Sequence, residues 1–204
     1  MKKTFWIGLL FILSLFCIPN VSFAQQVYIV QPGDSLWKIA VRYQVGLSEL
    51  IGANPQFKNP HLIYPGQKVN IPNLDATKSI ENQVIQLTNQ QRAKFGLKPL
   101  TMDWQLSRVA RYKAMDMRDN NYFSHTSPTY GDPFTMMRNF GIVYSAAAEN
   151  IAAGQITPAE VVQAWMNSSG HRANILNANY TYIGCGYAKG GSQGYYWVQQ
   201  FISK

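Results

Sequence analysis

Three polar side chains in the second half of the sequence have the chemistry of a binding or catalytic site. His125 and His171 are two of the three histidines in the chain, and Glu149 interrupts the apolar stretch 148–152. A carboxylate without a partner is costly in apolar surroundings, so Glu149 needs a neighbour that can pair with it. A histidine beside it would satisfy both groups, and the negative charge would raise the pKa of that imidazole.

Spacing alone leaves the arrangement of these side chains open. Two histidines and one glutamate are enough ligands for an open metal site, so a divalent metal such as zinc, held by His125 and His171, is one cofactor hypothesis. Separate loop histidines are the alternative, because no local motif joins the three residues. A helix is expected to end at residues 167–170, directly before His171. This histidine could therefore have a purely structural role, in stabilising the turn after that helix.

The elements that must position these residues lie in 80–204 and read as four helices followed by two strands. Asp103, Asp132-Pro133 and the capping box from Thr157 to Glu160 predict where three of the helices begin. The first helix is indicated by residues at helical spacing, namely Ile80, Val84, Leu87, Gln91 and Phe95. Alternating patterns over 182–188 and 195–202 predict the two strands. The order is typical of an α+β fold, with helices packed against a sheet.

Residues 26–72 read as a separate, smaller unit. A strand at 27–30, a turn at 32–34, a helix from about Leu36, a second helix at 47–53 and a strand at 68–71 predict a βααβ order. Residues 73–79 are polar and short, and they are predicted to be the linker to 80–204. So small a core is marginally stable by itself, because it buries little apolar surface.

The small unit resembles a LysM domain over its whole length. The matching runs are GDSLWKIA at 33–40, NP at 54–55, IYPGQ at 63–67 and VNIP at 69–72. The resemblance implies binding of a glycan that contains N-acetylglucosamine, such as peptidoglycan, between the loop after the first strand and the loop before the last. The implied contact residues are Gly33, Asp34, Ser35, Leu62, Ile63 and Tyr64. Trp37 is expected in the core, whereas for Tyr64 core packing and glycan contact are equal alternatives.

Residues 80–204 resemble bacterial extracellular members of the CAP (SCP-like) superfamily. Six runs carry the resemblance in order: NQQR at 89–92, FSH at 123–125, AENIA at 148–152, WMNSSGHRANIL at 165–176, YIGCG at 182–186 and YWVQQF at 196–201. The resemblance implies an α-β-α sandwich whose central cleft is lined by two histidines and two glutamates, where some members bind a divalent metal. His125, Glu149 and His171 match that set.

One departure from the family pattern bears on activity. Many animal and plant members have a second glutamate late in the fourth helix, where this chain has Trp-Met-Asn-Ser at 165–168. Glu160 is no substitute, since the capping box accounts for it. We therefore predict a His/Glu cleft for an unknown ligand rather than an enzyme. The alternative is a wall-targeted hydrolase in which Glu149 or a metal activates a water, with His125 and His171 as ligands or proton carriers.

The amino terminus and the charge indicate where the protein works. Residues 1–24 have a basic start, an apolar run at 5–18 and small residues at Ser22 and Ala24, and so predict a signal peptide cut after Ala24. The formal charge of +8 is scattered, which favours an acidic wall polymer over nucleic acid as partner. Cys185 is then the one cysteine left, and it is expected to be a small buried hydrophobe rather than half of a disulfide.

Together these patterns predict an extracellular protein associated with the cell wall or the spore envelope. The LysM-like unit would bind a glycan containing N-acetylglucosamine, and the CAP-like unit would present its cleft. The runs 33–40 and 59–66 are also similar to SafA-type spore coat assembly proteins. A structural role in the spore envelope, with other envelope or coat proteins as partners, is therefore a further alternative.

Overall fold

Two separate β-sheets divide the part of the chain that the computed structural model describes, residues 26–204. The first module contains β1 (Gln26–Ile29), α1 (Leu36–Tyr43), α2 (Leu47–Gly52) and β2 (Lys68–Ile71). Strand β1 pairs antiparallel with β2, so the βααβ order expected for a LysM domain is confirmed. The predicted signal peptide, residues 1–24, lies outside the described residues.

A small apolar core holds the first module together. The Ser35 side chain accepts a hydrogen bond from the Lys38 amide at 3.2 Å, which caps α1 and turns its apolar face inward. The core consists of Val30, Leu36, Ile39, Ala40, Val45, Leu50, Val69 and Ile71. Trp37 does not belong to this core, and its predicted burial is wrong, since 46% of it is exposed.

The second module is a four-stranded sheet between two helical layers. Its elements are α3 (Asp75–Lys94), β3 (Thr101–Met102), α4 (Trp104–Asp119), α5 (Pro133–Asn139), β4 (Ala146–Ala153), α6 (Pro158–Asn167), α7 (Ser169–Ile175), β5 (Tyr182–Lys189) and β6 (Tyr195–Ser203). The strand order is β3-β5-β6-β4, so β4 is an edge strand. The predicted α-β-α sandwich is confirmed.

Successive side chains of the central strands point to opposite faces of the sheet, and each face packs against a different helical layer. Ile183 and Cys185 of β5 pack with residues of α3 and α6, whereas Val198 of β6 packs with α4. Gly184 and Gly186 of β5 face α4, and a Cβ atom built on Gly186 would lie 2.1 Å from the Ala110 carbonyl carbon. The backbone of α4 therefore lies directly on β5, a distance that only glycine permits.

The interior of the sandwich contains a buried ion pair and a buried thiol. Arg111 of α4 and Glu81 of α3 form a buried bidentate ion pair, with N–O distances of 2.8 and 2.6 Å. Cys185 is buried and burial raises the pKa of its thiol well above the ordinary value, so its predicted role as a small hydrophobe is confirmed.

The second module differs from the sequence-based prediction at several points. Strands β3 and β4 and helix α7 are additional elements, and α3 begins at Asp75, inside the segment 73–79 assigned to the linker. Phe95, predicted on the inner face of the first helix, directly follows α3 and is exposed. That face consists of Glu81, Val84, Ile85, Thr88 and Arg92. Three of these are polar and were missed by the apolar pattern, whereas of the predicted positions Val84 is in the core and Ile80 and Leu87 pack partly against it.

The two modules touch along α3 and α4. Glu49 of α2 accepts a hydrogen bond from the Tyr112 hydroxyl, and the Arg108 guanidinium lies 6.0 Å from the centre of the Trp37 ring. The Lys78 ammonium also donates to the Tyr43 carbonyl oxygen at 3.1 Å. Within residues 26–204, no helix combines the length and apolar character that crossing a membrane requires.

Candidate functional site

The site is built on the edge strand β4, which places Glu149 beside His125. The Glu149 side chain is 1% exposed, and its Oε1 lies 2.8 Å from His125 Nδ1. Its second oxygen, Oε2, accepts a hydrogen bond at 3.0 Å from Nε2 of the buried Gln200, on the neighbouring strand β6. Both carboxylate oxygens are thus engaged, while the His125 ring remains 49% exposed.

His125 lies in the loop between α4 and α5, and one carboxylate organises that loop. Asp116 of α4 accepts hydrogen bonds from the side chains of four residues of the loop region: Asn120, Tyr122, Ser127 and Thr129. Burial acts to raise the pKa of Asp116, but these hydrogen bonds outweigh it and the pKa is lowered. The charged form of Asp116 therefore fixes the loop that carries His125.

A buried cation lies beneath the same loop. Lys113, one helical turn before Asp116, is fully buried and donates to the Tyr122 hydroxyl at 2.9 Å. Burial lowers the pKa of Lys113, and the negative charges of Glu149 and Asp116 oppose that shift. The ammonium thus helps to offset the two carboxylates on which the loop depends.

His171 reaches the site from the other helical layer, on α7. Asn150, the neighbour of Glu149 in β4, donates to the His171 carbonyl oxygen at 3.1 Å and accepts from Asn174 at 2.8 Å. Burial, and secondarily the charge of His125, lowers the pKa of His171. The histidine beside the Glu149 carboxylate is His125, and the lowered pKa of His171 favours its uncharged form.

A cavity of about 410 Å³ opens beside His171. Its wall comprises the small residues at the end of β4, the inner side of α6, and residues from two loops. The residues with side-chain polarity or aromatic character are Phe123, Gln155, Trp165, Ser168, His171 and Gln193. Of the three predicted cleft residues, His171 is in the wall of this concavity, whereas His125 and Glu149 are not among the described residues that line it. The nearest lining residue to His125 in sequence is Phe123.

The chemistry available at His125 is that of an imidazole whose orientation is fixed by a buried carboxylate. An ionised carboxylate only accepts hydrogen bonds, so Glu149 fixes His125 with its proton on Nδ1 and leaves Nε2 as the acceptor. Such an imidazole can accept a hydrogen bond or a proton from a bound molecule. The buried carboxylate is turned to His125 and Gln200 and does not face the cavity.

The same residues do not fit a resident zinc ion. A catalytic zinc is held by three protein ligands, and Glu149 has both oxygens committed to His125 and Gln200. Within residues 26–204, no group of three or more His, Cys, Asp or Glu side chains is arranged to hold a metal ion. His125 and His171, named as possible ligands from the sequence, would supply only two imidazoles.

The LysM-type loops lie next to each other at one end of the small sheet. The Gly66 amide donates to the Val30 carbonyl and the Val30 amide to the Gln67 carbonyl, both at 2.9 Å. Leu62 and Tyr64 are more than half exposed, whereas Ile63 packs partly against the core. These contacts place 31–35 beside 62–67, as a groove between the two loops requires.

Asp34 has a different position from the other expected glycan contacts. Its side chain is 6% exposed and accepts from the Tyr28 hydroxyl at 2.6 Å and from the Gln31 amide at 2.8 Å. The pKa of Asp34 is lowered, first by the Tyr28 hydrogen bond. Asp34 therefore shapes the loop from within, while Gly33, at φ +82°, permits the turn.

Several residues that support the site did not emerge from sequence reasoning. Gln200 and Asp116 position Glu149 and His125, and Lys113 lies beneath them. A signal for Asp116 and Lys113 exists, because both are charged residues on the side of α4 that also carries Ala110 and Met117, which pack on the sheet. Charged side chains on a buried helix face are rare unless they are paired.

Two protein-family models match the chain in succession. The LysM domain model covers 28–72, and the model of the cysteine-rich secretory protein family, CAP, covers 85–201. The first range contains the two adjacent loops, and the second contains His125, Glu149 and His171.

Individual relatives match one module at a time. The chain is 59% identical over 129 residues to the uncharacterized protein YkwD of Bacillus subtilis (strain 168), which is 63% of this chain and 49% of YkwD. It is 51% identical over 47 residues to SpoIVD-associated factor A of the same organism, 23% of this chain and 12% of that protein. The chain thus spans half or less of the length of these curated relatives.

Among solved structures, the fold is similar to that of an extracellular protein containing an SCP domain from Bacillus anthracis. The two share 35% sequence identity and a TM-score of 0.58, over 69% of this chain and 47% of the other. The likeness to a bacterial extracellular protein agrees with the sandwich described above.

Proposed function

Because the chain belongs to the cysteine-rich secretory protein (CAP) family and carries a LysM domain ahead of its CAP domain, we propose a wall-anchored binding protein. The pair of domains indicates an extracellular protein associated with the cell wall. In this proposal the LysM domain binds a glycan that contains N-acetylglucosamine, such as peptidoglycan. The CAP domain presents the His125 cleft to a ligand.

The arrangement of the two LysM loops supports the anchoring half. Backbone hydrogen bonds hold the loops together, so the loop with the exposed side chains of Leu62 and Tyr64 stands beside the Gly33 turn and its backbone needs little ordering on binding. Apolar side chains next to free backbone groups suit a sugar, which has an apolar face and an acetamido group that forms hydrogen bonds.

One observation carries the non-catalytic half of the proposal. Both oxygens of Glu149, the one carboxylate of the family set in this chain, are bonded within the protein, to His125 and Gln200. No second carboxylate follows in α6, whose only acid is Glu160, and Glu160 closes the capping box at the opposite end. An acid and a base on opposite sides of a bound molecule are therefore not available from this set.

Co-sedimentation with purified, insoluble peptidoglycan tests the anchoring half. We expect the wild-type protein to sediment, and Leu62→Ala/Tyr64→Ala to bind at least about tenfold more weakly, because two central apolar contacts are removed. The exposed pair Val143 and Ile156 of the CAP domain provides the matched control, Val143→Ala/Ile156→Ala, which should sediment normally. Sedimentation that is equal for all three proteins, or absent for the wild type, would contradict the proposal.

A structural role in the spore envelope is the second candidate. It is favoured by the 51% identity over 47 residues to SpoIVD-associated factor A. Synthesis restricted to sporulation, together with recovery of the protein from the spore surface layers, would select it. Synthesis during growth, with the protein on the vegetative wall, would select the first candidate.

The hydrolase alternative is tested separately. It requires turnover of muropeptide, peptide or ester substrates that is lost in His125→Ala, since this imidazole is the available proton acceptor. Intact substrates after incubation with the wild-type protein, with and without added zinc, would leave binding as the function of the cleft.

A further inference from the structure

We propose that the cavity beside His171 binds an uncharged ligand that bears an amide group, an N-acetylated sugar unit of the same polymer that the LysM domain grips. The inference rests on the proposed function and assigns the ligand class of its second site. Three features of the cavity carry it: the absence of charge, an exposed aromatic ring and a buried amide oxygen without a partner.

The wall of the cavity is neutral. Among the described residues that line it there is no Asp, Glu, Lys or Arg. His171 is the one titratable side chain, and burial favours its uncharged form. A phosphate or carboxylate ligand would meet no cation here, and a cationic ligand would meet no acid, so a ligand without charge fits best.

The cavity is lined by small apolar side chains and has an aromatic ring at its rim. Ile151, Ala152 and Ala164 form small apolar surfaces along β4 and α6, and Phe123 is 51% exposed at the rim. A sugar ring has an apolar C–H face that packs on such a ring, while its hydroxyl groups reach the polar rim. Asp116 accepts hydrogen bonds from Asn120 and Ser127 on either side of Phe123, so the backbone that carries this ring is held before a ligand arrives.

Polar groups around this floor distinguish a sugar from an aliphatic chain. Gln155 has a buried side-chain oxygen with no hydrogen-bond partner among the described residues, and it lines this cavity. An orphan acceptor of this kind is satisfied by a donor such as an acetamido N–H. Gln193 and Ser168 add an amide and a hydroxyl to the wall, groups that an acyl chain would leave unpaired.

The size of the cavity agrees with this class. Its volume of about 410 Å³ lies at the small end of the range for ligand sites in proteins, which begins near 300 Å³. One or two sugar rings of a polymer fit there, whereas the rest of the strand would continue into solvent through the open side.

Nuclear magnetic resonance of the full-length mature protein tests the inference with two matched probes. The first is the tetramer of N-acetylglucosamine, and the second is the tetramer of glucose, which lacks the acetamido groups. Reporters of the cavity are the His171 ring and the Trp165 indole N–H, which donates to the Ile151 carbonyl oxygen at 3.2 Å. The backbone amides of Leu62 and Tyr64 report on the LysM domain.

We expect the acetylated tetramer to shift both sets of signals, and the glucose tetramer to leave the cavity set unmoved. Leu62→Ala/Tyr64→Ala should weaken binding at the LysM domain at least about tenfold and keep the cavity shifts, whereas Phe123→Ala should weaken binding at the cavity roughly tenfold and spare the LysM shifts. Both substituted sites are exposed, so folding is preserved.

Three outcomes would overturn the inference. If the LysM signals saturate with the acetylated tetramer while the cavity signals stay in place, the cavity takes another ligand and the anchoring proposal stands. If the cavity signals move equally with both tetramers, the amide is not recognised. If neither set moves, the anchoring proposal fails as well, so the two failures are distinguishable.

Discussion

Gly186→Ala is expected to destabilise the CAP domain by about 3 kcal/mol, at the upper end of overpacking effects. A Cβ atom at this position would lie 2.1 Å from the Ala110 carbonyl carbon and 2.2 Å from the Arg111 amide nitrogen. Both neighbours are backbone atoms of α4, so no side-chain rotation relieves the contact. The whole helix would have to move away from β5.

The consequence reaches the site, because α4 carries Asp116 and Lys113. We expect the melting temperature of the CAP domain to fall by about 6–12 °C, because each kcal/mol of lost stability lowers the melting temperature of a protein of this size by about 2–4 °C. Gly170→Ala in α7 is the matched control, since a Cβ there would meet nothing within 4 Å and the residue is not at positive φ. That variant should be within about 1 kcal/mol of wild type, on the stabilising side. A Gly186→Ala protein as stable as Gly170→Ala would show that α4 does not lie against β5.

Asp116→Asn is expected to free the loop that carries His125 and to lower stability by about 2–4 kcal/mol. The substitution keeps the shape of the side chain but replaces an oxygen that accepts hydrogen bonds with a group that donates them. Four donor side chains converge on the two oxygens of Asp116, so one or two of them lose their partner. Lys113 also loses one of the two negative charges near it.

The pH dependence of this contribution has a defined sign. The pKa of Asp116 in the folded protein is below its ordinary value of 3.8, so the stabilisation is complete above that pH and is lost as the pH falls through the folded pKa. Denaturant unfolding as a function of pH measures it. Asp119→Asn is the control, because Asp119 is largely exposed and bonded to its neighbour Arg118. Equal stability of the two variants would contradict a positioning role for Asp116.

Elements with strong local signals are predictable from the sequence. Asp103, Asp132 and Thr157 cap their helices, because each side chain satisfies amides that the first helical turn leaves free. The strands that became β5 and β6 alternate clearly, since one face packs on α4 and the other on α3 and α6. Where the physics is local, the prediction holds to within a residue.

Elements that depend on tertiary contacts are not predictable in this way. Strand β4 consists largely of alanine, which has little strand propensity, and it is a strand because it pairs with β6 along its length. Trp37 has the pattern of a core residue, yet a second module lies beside it and its ring faces Arg108. Neither fact is present in the local sequence.

The candidate site was likewise predictable only in the part that depends on local sequence. Glu149 in an apolar stretch correctly predicted a buried carboxylate with a histidine partner, because an unpaired charge in that environment is too costly. The choice of His125 as the partner follows from the fold, which carries the loop after α4 to the edge of β4. His171 lies on another layer, where burial rather than a carboxylate sets its pKa.

In both modules, hydrogen bonds within the protein hold the loops that carry the candidate binding residues. The LysM loops are held by their own backbone hydrogen bonds, and the His125 loop is held by Asp116. In both cases the loop that carries the groups that would meet a ligand is held before the ligand binds, which lowers the entropic cost of association.

The most direct test of the central claim, that Glu149 fixes the orientation of the His125 ring, is the tautomer of His125 in the intact protein. Nitrogen NMR at a pH at which the imidazole is neutral reports which ring nitrogen carries the proton. The 2.8 Å contact to Glu149 predicts the proton on Nδ1, with Nε2 free as an acceptor. A neutral His125 with its proton on Nε2 and a bare Nδ1 would contradict the account.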